Sequence, residues 1–240
     1  MFNSIDGIKS SYTSEKRESD RVNHYYGYAI LRPIGNYIAY CFIRIGLSAN
    51  AVTLIGLILQ LVAFYFILFT SKSLIIPALL INIWLLLDFV DGTIARVKNQ
   101  QSIQGAYYDA LSGFLVENIL HISVGYYLFL HVNSISIDPL LFLTIGIISS
   151  LLFQFYRLAK YEYFRIVGYS MDMVQKKVQI SPISTEQILK GIKSFEIPTM
   201  VIFILFGKIW IWFLIVCLFR ILISIAGLWK LILEVSTSNQ

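Results

Sequence analysis

The sequence predicts an all-α, polytopic membrane fold: six transmembrane helices preceded by an interfacial amphipathic helix. Three observations predict it. Hydrophobic residues make up 57% of the 240 and charged residues 14%, where soluble domains carry roughly 25% charge. Windows such as 51–69, 74–87 and 140–153 hold no charged residue, and a bilayer core about 30 Å thick needs about 20 mostly apolar residues per helix. Lys and Arg, finally, gather in alternate connections between the apolar runs.

Residues 1–27 form a polar arm rich in Ser, Lys, Glu and Arg. They contain no apolar run of the secretory type and read as a solvated, flexible segment. Residues 28–47 follow, with Leu31, Ile34, Ile38, Phe42 and Ile45 three or four apart and Arg32, Asn36 and Arg44 among them. That stripe suits a helix lying in the membrane interface. A first spanning helix is the competing reading, against which two arginines within a span weigh.

A membrane domain over 48–234 holds spans at about 50–70, 74–96, 105–131, 138–160, 190–207 and 209–232, and 235–240 is a tail. The last two spans are separated only by Gly207 and Lys208, so one long kinked helix is the alternative there. The stretch 165–189 is the longest internal polar connection, either a cover for one face or a plain connector.

Orientation follows from the basic residues. Lys9, Lys16, Arg17, Arg21, Arg32 and Arg44 precede the first span. Arg96 and Lys98 follow the second, and Arg157, Lys160, Arg165, Lys176, Lys177, Lys190 and Lys193 lie between the fourth and fifth. The opposite connections hold only Lys72 and Lys208. Both termini and the region around 88–109 are therefore expected on the cytoplasmic side, in the cell membrane if the source is prokaryotic. The net charge of +5 fits anionic lipid headgroups and a phosphorylated substrate, with no nucleic acid as partner. Cys41 and Cys217 sit in apolar segments and read as small buried hydrophobes, not a disulfide or metal site.

Asp88 and Asp91 close the second span, three residues apart and so on one helix face. Asp109 lies one turn into the next helix. Carboxylates at such depth need a polar cavity and a neutralising charge. No Lys or Arg at matching depth serves all three, whereas hard oxygen ligands suit Mg2+ or Mn2+, which also hold phosphates. Gly92 and Gly105 allow close backbone approach. Arg96 offers a planar fork suited to phosphate. Together these residues describe a diphosphate-binding site. A helix-end cluster, merely hydrated at the interface, is the plain structural alternative.

The run Asp88-x2-Asp91-Gly92-x2-Ala95-Arg96-x8-Gly105-x3-Asp109 resembles the signature of the CDP-alcohol phosphatidyltransferase family. Arg32-Pro33 and the stretch from Gly46 to Thr53 look like that family's interfacial helix and first-span entry. The resemblance implies six transmembrane helices, a homodimer, and transfer of a substituted phosphate from a CDP-alcohol or CDP-lipid to a hydroxyl acceptor with release of CMP. It implies that Asp88, Asp91 and Asp109 bind divalent metal. Gly92, Arg96 and Ser102 would line the CDP site with Asn50 and Thr53, while Ala95 and Gly105 allow close approach. As plain chemistry, Asn50, Thr53 and Ser102 read equally well as helix caps.

One position departs from the family pattern: the fourth aspartate, its proposed general base, is Gly113 here. Asp109, Gly113 and Glu117 lie along one helix stripe. Glu117 is accordingly a candidate replacement base beside Asp109, with an ion pair to another helix as the alternative. His121, a further turn along, reads as an interior histidine. Arg157, Lys160 and Arg165 either bind an anionic acceptor or simply set topology with snorkelling side chains. Beside the enzyme stand a catalytically silent CDP-lipid-binding relative or scaffold, motivated by Gly113, and a prenyl-diphosphate-using transferase. A transporter fits less well, since the aspartates cluster at one interface.

Overall fold

The computed structural model describes residues 4–70, 72–132, 137–166 and 185–237, and every regular element among them is helical. Five helices are long and apolar enough to cross a membrane: Ala49–Phe69, Ile75–Val97, Ile103–His131, Pro139–Ile166 and Ile209–Ser236. Leu54, Ile58 and Leu61 on the first, and Leu218, Leu222 and Ile225 on the last, remain exposed. Apolar faces of that kind suit lipid as their solvent. The chain is an integral membrane protein.

Two compact units compose it, Met1–Val116 with Thr185–Lys208, and Glu117–Ser184 with Ile209–Gln240. The first unit begins with the arm, which differs from the flexible segment expected. Its helices are α1 (Ile5–Ser10) and α2 (Ser14–Asn23), with Ser4 and Thr13 as N-caps accepting from the amides of Gly7 and Lys16. Burial explains the order: Ile8, Tyr12 and Asp20 are all nearly inaccessible. Sparse apolar residues in a polar stretch gave no periodic signal, yet Ile8 and Tyr12, with the buried Asp20–Arg32 pair, dock the arm.

A π-helical turn at Gly27–Leu31 leads into α3 (Arg32–Arg44), with Pro33 in its first turn, where a missing amide costs nothing. The helix carries Arg32, Asn36 and Arg44 and is not among the described helices long and apolar enough to cross, in keeping with the interfacial reading. Its stripe divides, however: Ile38 and Phe42 pack inward, while Ile34 and Ile45 are exposed and Arg32 is buried. Gly46, at φ 86°, turns the chain into α4 (Ala49–Tyr65), which Ser48 caps through the Ala51 amide at 3.2 Å. Helix α5 (Ile75–Val97) packs along α4, with Ala39, Ala49, Val52, Leu87, Val90 and Ile94 forming their shared core. Lys98 Nζ donates to Leu47 O at 2.7 Å, tying the end of α5 to the start of α4.

Helix α6 (Ile103–His131) begins in this unit and continues into the second. The fifth expected span is divided between α8 (Thr185–Lys193), packed on α2, and α9 (Glu196–Leu205), packed on α5 with Asn82 Nδ2 donating to Ile197 O at 3.4 Å. Gly207, at φ 65°, closes α9 through Gly207 N to Ile204 O and Lys208 N to Phe203 O. That left-handed cap breaks the chain cleanly, so 198–212 is not one kinked helix.

In the second unit, α7 (Pro139–Ile166) and α10 (Ile209–Thr237) pack together with the later part of α6. Backbones come close here: a Cβ at Gly146 would lie 2.6 Å from His121 O, and one at Gly125 2.7 Å from Phe142 O. Phe142, Trp212, Phe213 and Cys217 fill the interior. Cys217 is thus buried as expected, whereas Cys41 is exposed on α3; both are free thiols.

Candidate active site

Three helices of the first unit bring the signature together: α4 supplies Asn50 and Thr53, α5 supplies Asp88 to Arg96, and α6 supplies Gly105 and Asp109. The side chains of Asp88 and Asp109 come within interacting distance of each other, and Asp91 lies near enough to interact electrostatically with both. Thr53 Oγ1 reaches Asp91 Oδ2 at 2.6 Å while also contacting Ala49 O at 3.1 Å. The charge-assisted contact is the shorter, as a hydroxyl donating to a carboxylate should be. Thr53 therefore holds Asp91 in place and does not cap a helix.

Thr53, Gly56, Trp84, Asp88, Asp91 and Ser112 line a tight crevice between these helices. Its inner end is polar although it sits among apolar spans. Ser112 Oγ accepts from Gln60 Nε2 at 2.8 Å and from Trp84 Nε1 at 2.9 Å. Sequence reading missed these three residues. The available signal was a lone glutamine within an otherwise apolar span, a placement that is costly unless partnered.

Among the described residues, none of the three aspartates has a salt-bridge partner; Arg32 and Arg96 act on Asp88 and Asp91 only from further away. Carboxylates in mutual contact require a proton or a cation between them. The donor set fits a hard divalent cation, being made of carboxylate oxygens. As placed, among the described residues, no three His, Cys, Asp or Glu side chains close on a common point. Asp91 is turned toward Thr53.

The nucleotide candidates divide. Ser102 Oγ accepts from Gly105 N at 3.0 Å and so caps α6. A Cβ at Gly105 would lie 3.2 Å from that oxygen and 3.4 Å from Asn50 Oδ1, so Asn50, Ser102 and Gly105 do converge. Ala95 packs against the α4–α5 core. Arg96 Nη2 donates to Thr93 Oγ1 at 3.1 Å, a Cβ at Gly92 would lie 3.4 Å from Arg96 Nη1, and Arg96 Nε is buried without a partner among the described residues.

A Cβ at Gly113 would meet nothing within 4 Å. Glu117 belongs to the second unit, where it forms an ion pair with Arg157 and its carbonyl accepts from Arg220 Nη2 at 2.8 Å. His121 is buried there and stacks on Trp212. Of the basic residues at the end of α7, Arg157 pairs with Glu117, Lys160 lies over the Tyr156 and Phe164 rings, and Arg165 pairs with Glu162. Most of the 165–189 connection lies outside the described residues.

A family model for CDP-alcohol phosphatidyltransferase matches residues 47–180, more than half of the chain, including all three aspartates. The chain belongs to the CDP-alcohol phosphatidyltransferase family. No curated protein matches it individually. At family level this is a phosphotransferase of phospholipid synthesis, acting on CDP-alcohol substrates and membrane lipids. Such enzymes are generally divalent-metal dependent.

Proposed function

We propose that this protein transfers a substituted phosphate, namely a phosphatidyl group, from a CDP-alcohol to a hydroxyl acceptor and releases CMP. The observation that carries the reading is the meeting of Asp88 and Asp109, with Asp91 beside them on Thr53, inside the family-matched stretch. Asp88, Asp91 and Asp109 would hold Mg2+ or Mn2+. Bound there, the metal would neutralise the diphosphate and stabilise charge developing on its oxygens.

The remaining work falls to protein groups. Gly92, Ala95 and Gly105 leave room for the donor, while Asn50, Ser102 and Arg96 offer it polar contacts. The acceptor oxygen forms a bond to the phosphorus distal to cytidine, the bond to CMP breaks, and the acceptor proton passes to a carboxylate. Asp109 is the first choice for that base. Glu117 is the second, and its ion pair with Arg157 supports a structural role for it instead. Glu117→Gln with full activity removes it from catalysis.

Orientation belongs to the same proposal: active site and both termini cytoplasmic, with α9 and the residues beside it making a sixth crossing, and two copies forming a homodimer. The test is CMP release by purified protein across paired donor and acceptor panels. Activity should require Mg2+ or Mn2+ and vanish in Asp91→Asn. The open space at Gly113 favours one rival, a CDP-lipid-binding protein without turnover. CDP binding with no CMP release on any panel supports that rival and refutes the enzyme.

A further inference from the structure

The arm and the signature helix meet in a buried polar chain that precedes, for the most part, the family-matched residues 47–180. Asp20 is its anchor, 1% exposed. Its Oδ2 accepts from Tyr12 Oη at 2.9 Å and from Arg32 Nη2 at 2.6 Å, and its Oδ1 pairs with Lys16 Nζ at 3.0 Å. The Arg32 guanidinium lies between the Tyr12 and Phe89 rings, 4.7 and 4.8 Å from their centroids. Arg32 Nη1 then donates to Thr93 Oγ1 at 3.3 Å, the same oxygen that accepts from Arg96 Nη2 at 3.1 Å.

Two guanidinium groups thus share one hydroxyl oxygen. They repel each other, and Asp20 is the anion that acts on both. Thr93 is itself fixed, donating to Phe89 O at 2.9 Å. Its two lone pairs are therefore both taken by arginines. Asp20 holds Arg32, Arg32 and Arg96 both donate to Thr93, and the direction of the Arg96 fork follows.

We propose that Asp20 is a positioning residue for the donor site, acting through Arg32 and Thr93 to orient Arg96 toward the donor's phosphates. The inference rests on the functional reading above. Without Asp20, the two arginines face each other with only the more distant Asp88 and Asp91 to offset them, and Arg96 loses its preferred direction. Donor binding weakens, while Asp91 keeps its partner Thr53 on α4.

The test measures CMP release and CDP binding by the full-length protein, as purified, for wild type, Asp20→Asn, Asp20→Glu and Thr93→Val. Asp20→Asn should raise the donor KM about tenfold with kcat within about twofold, and Asp20→Glu should recover most of that loss. A loss of packing alone would not produce this split. Thr93→Val keeps the volume and should raise the donor KM in the same direction, which serves if Asp20→Asn does not fold. Because both act on one chain of contacts, the double variant should be no worse than the poorer single variant. Unchanged donor KM in both variants, or a fall in kcat with KM held, overturns the inference alone. Wild-type protein that neither binds CDP nor releases CMP overturns the functional reading and this inference with it.

Discussion

Replacing Thr53 by valine removes one proton donor and almost no volume. The hydroxyl it removes lies 2.6 Å from Asp91 Oδ2, and hydrogen bonds to charged groups contribute about 1.5–3 kcal/mol. The same hydroxyl leans on Ala49 O at 3.1 Å, so the lower end of that range applies. At about 1.4 kcal/mol per factor of ten, the expected loss is about tenfold in kcat/KM for CMP release. Asp91 freed from Thr53 should also hold metal less well, so the Mg2+ concentration for half-maximal rate should rise. Thr53→Ser keeps the donor and should stay within about twofold of wild type. The assay is CMP release against Mg2+ concentration for the three proteins, with thermal unfolding in detergent as a control. If Thr53→Val retains wild-type kcat/KM and Mg2+ requirement, Thr53 does not hold Asp91 for function and the site's geometry has been misread.

Asp88→Asn should abolish metal-dependent CMP release while leaving thermal unfolding near wild type, since it removes one of two carboxylates in contact. Gly113→Asp should fold as well as wild type, because its Cβ meets nothing within 4 Å. A rise in kcat there would identify the missing fourth carboxylate as the limit on rate. Gly146→Ala should lower the unfolding temperature: its Cβ would press to 2.6 Å from His121 O. Such overpacking costs about 1–3 kcal/mol, against about 1 kcal/mol gained in helix propensity. The arm should also be acid-sensitive. Burial acts to raise the Asp20 carboxyl, but the charges of Lys16 and Arg32 outweigh it and hold it below its ordinary value. The unfolded chain then binds more protons in acid, so Asp20's contribution is full above the ordinary carboxylate range and lost as pH falls through the depressed value. Unfolding temperature measured from pH 6 to 3 should fall less steeply in Asp20→Asn than in wild type.

Much of the candidate site was legible because its residues are of unusual type for their setting. Three aspartates at the ends of apolar helices, with glycines and an arginine at fixed spacing, stand out against lipid-facing sequence. Which hydroxyls hold a carboxylate and which serve helix ends was not legible, because both uses favour the same residue types. Ser102 caps α6 and also touches the Asn50–Gly105 corner, whereas Thr53 holds Asp91, and the cap of α4 is Ser48. Gln60, Trp84 and Ser112 stayed hidden because their partnership depends on three helices at once. The arm was misjudged for a different reason. Composition measures how much apolar surface a segment holds, and Ile8 and Tyr12 hold little, but a buried ion pair between Asp20 and Arg32 adds an attachment that composition does not register.

That attachment has a consequence for the order in which the protein is made. Asp20 and Arg32 are 12 residues apart and can find each other early in synthesis. Phe89 and Thr93, which complete the seat of Arg32, follow it by 57 and 61 residues. At about 5–20 residues per second, the arginine waits on the order of 3–12 s for the rest of its seat. During that interval its charge is satisfied only by the arm and by solvent, at the membrane surface where α4 must insert. The arm helices are thus begun before α5 and finished only when α5 exists, which ties their completion to successful insertion of the helix that bears the aspartates.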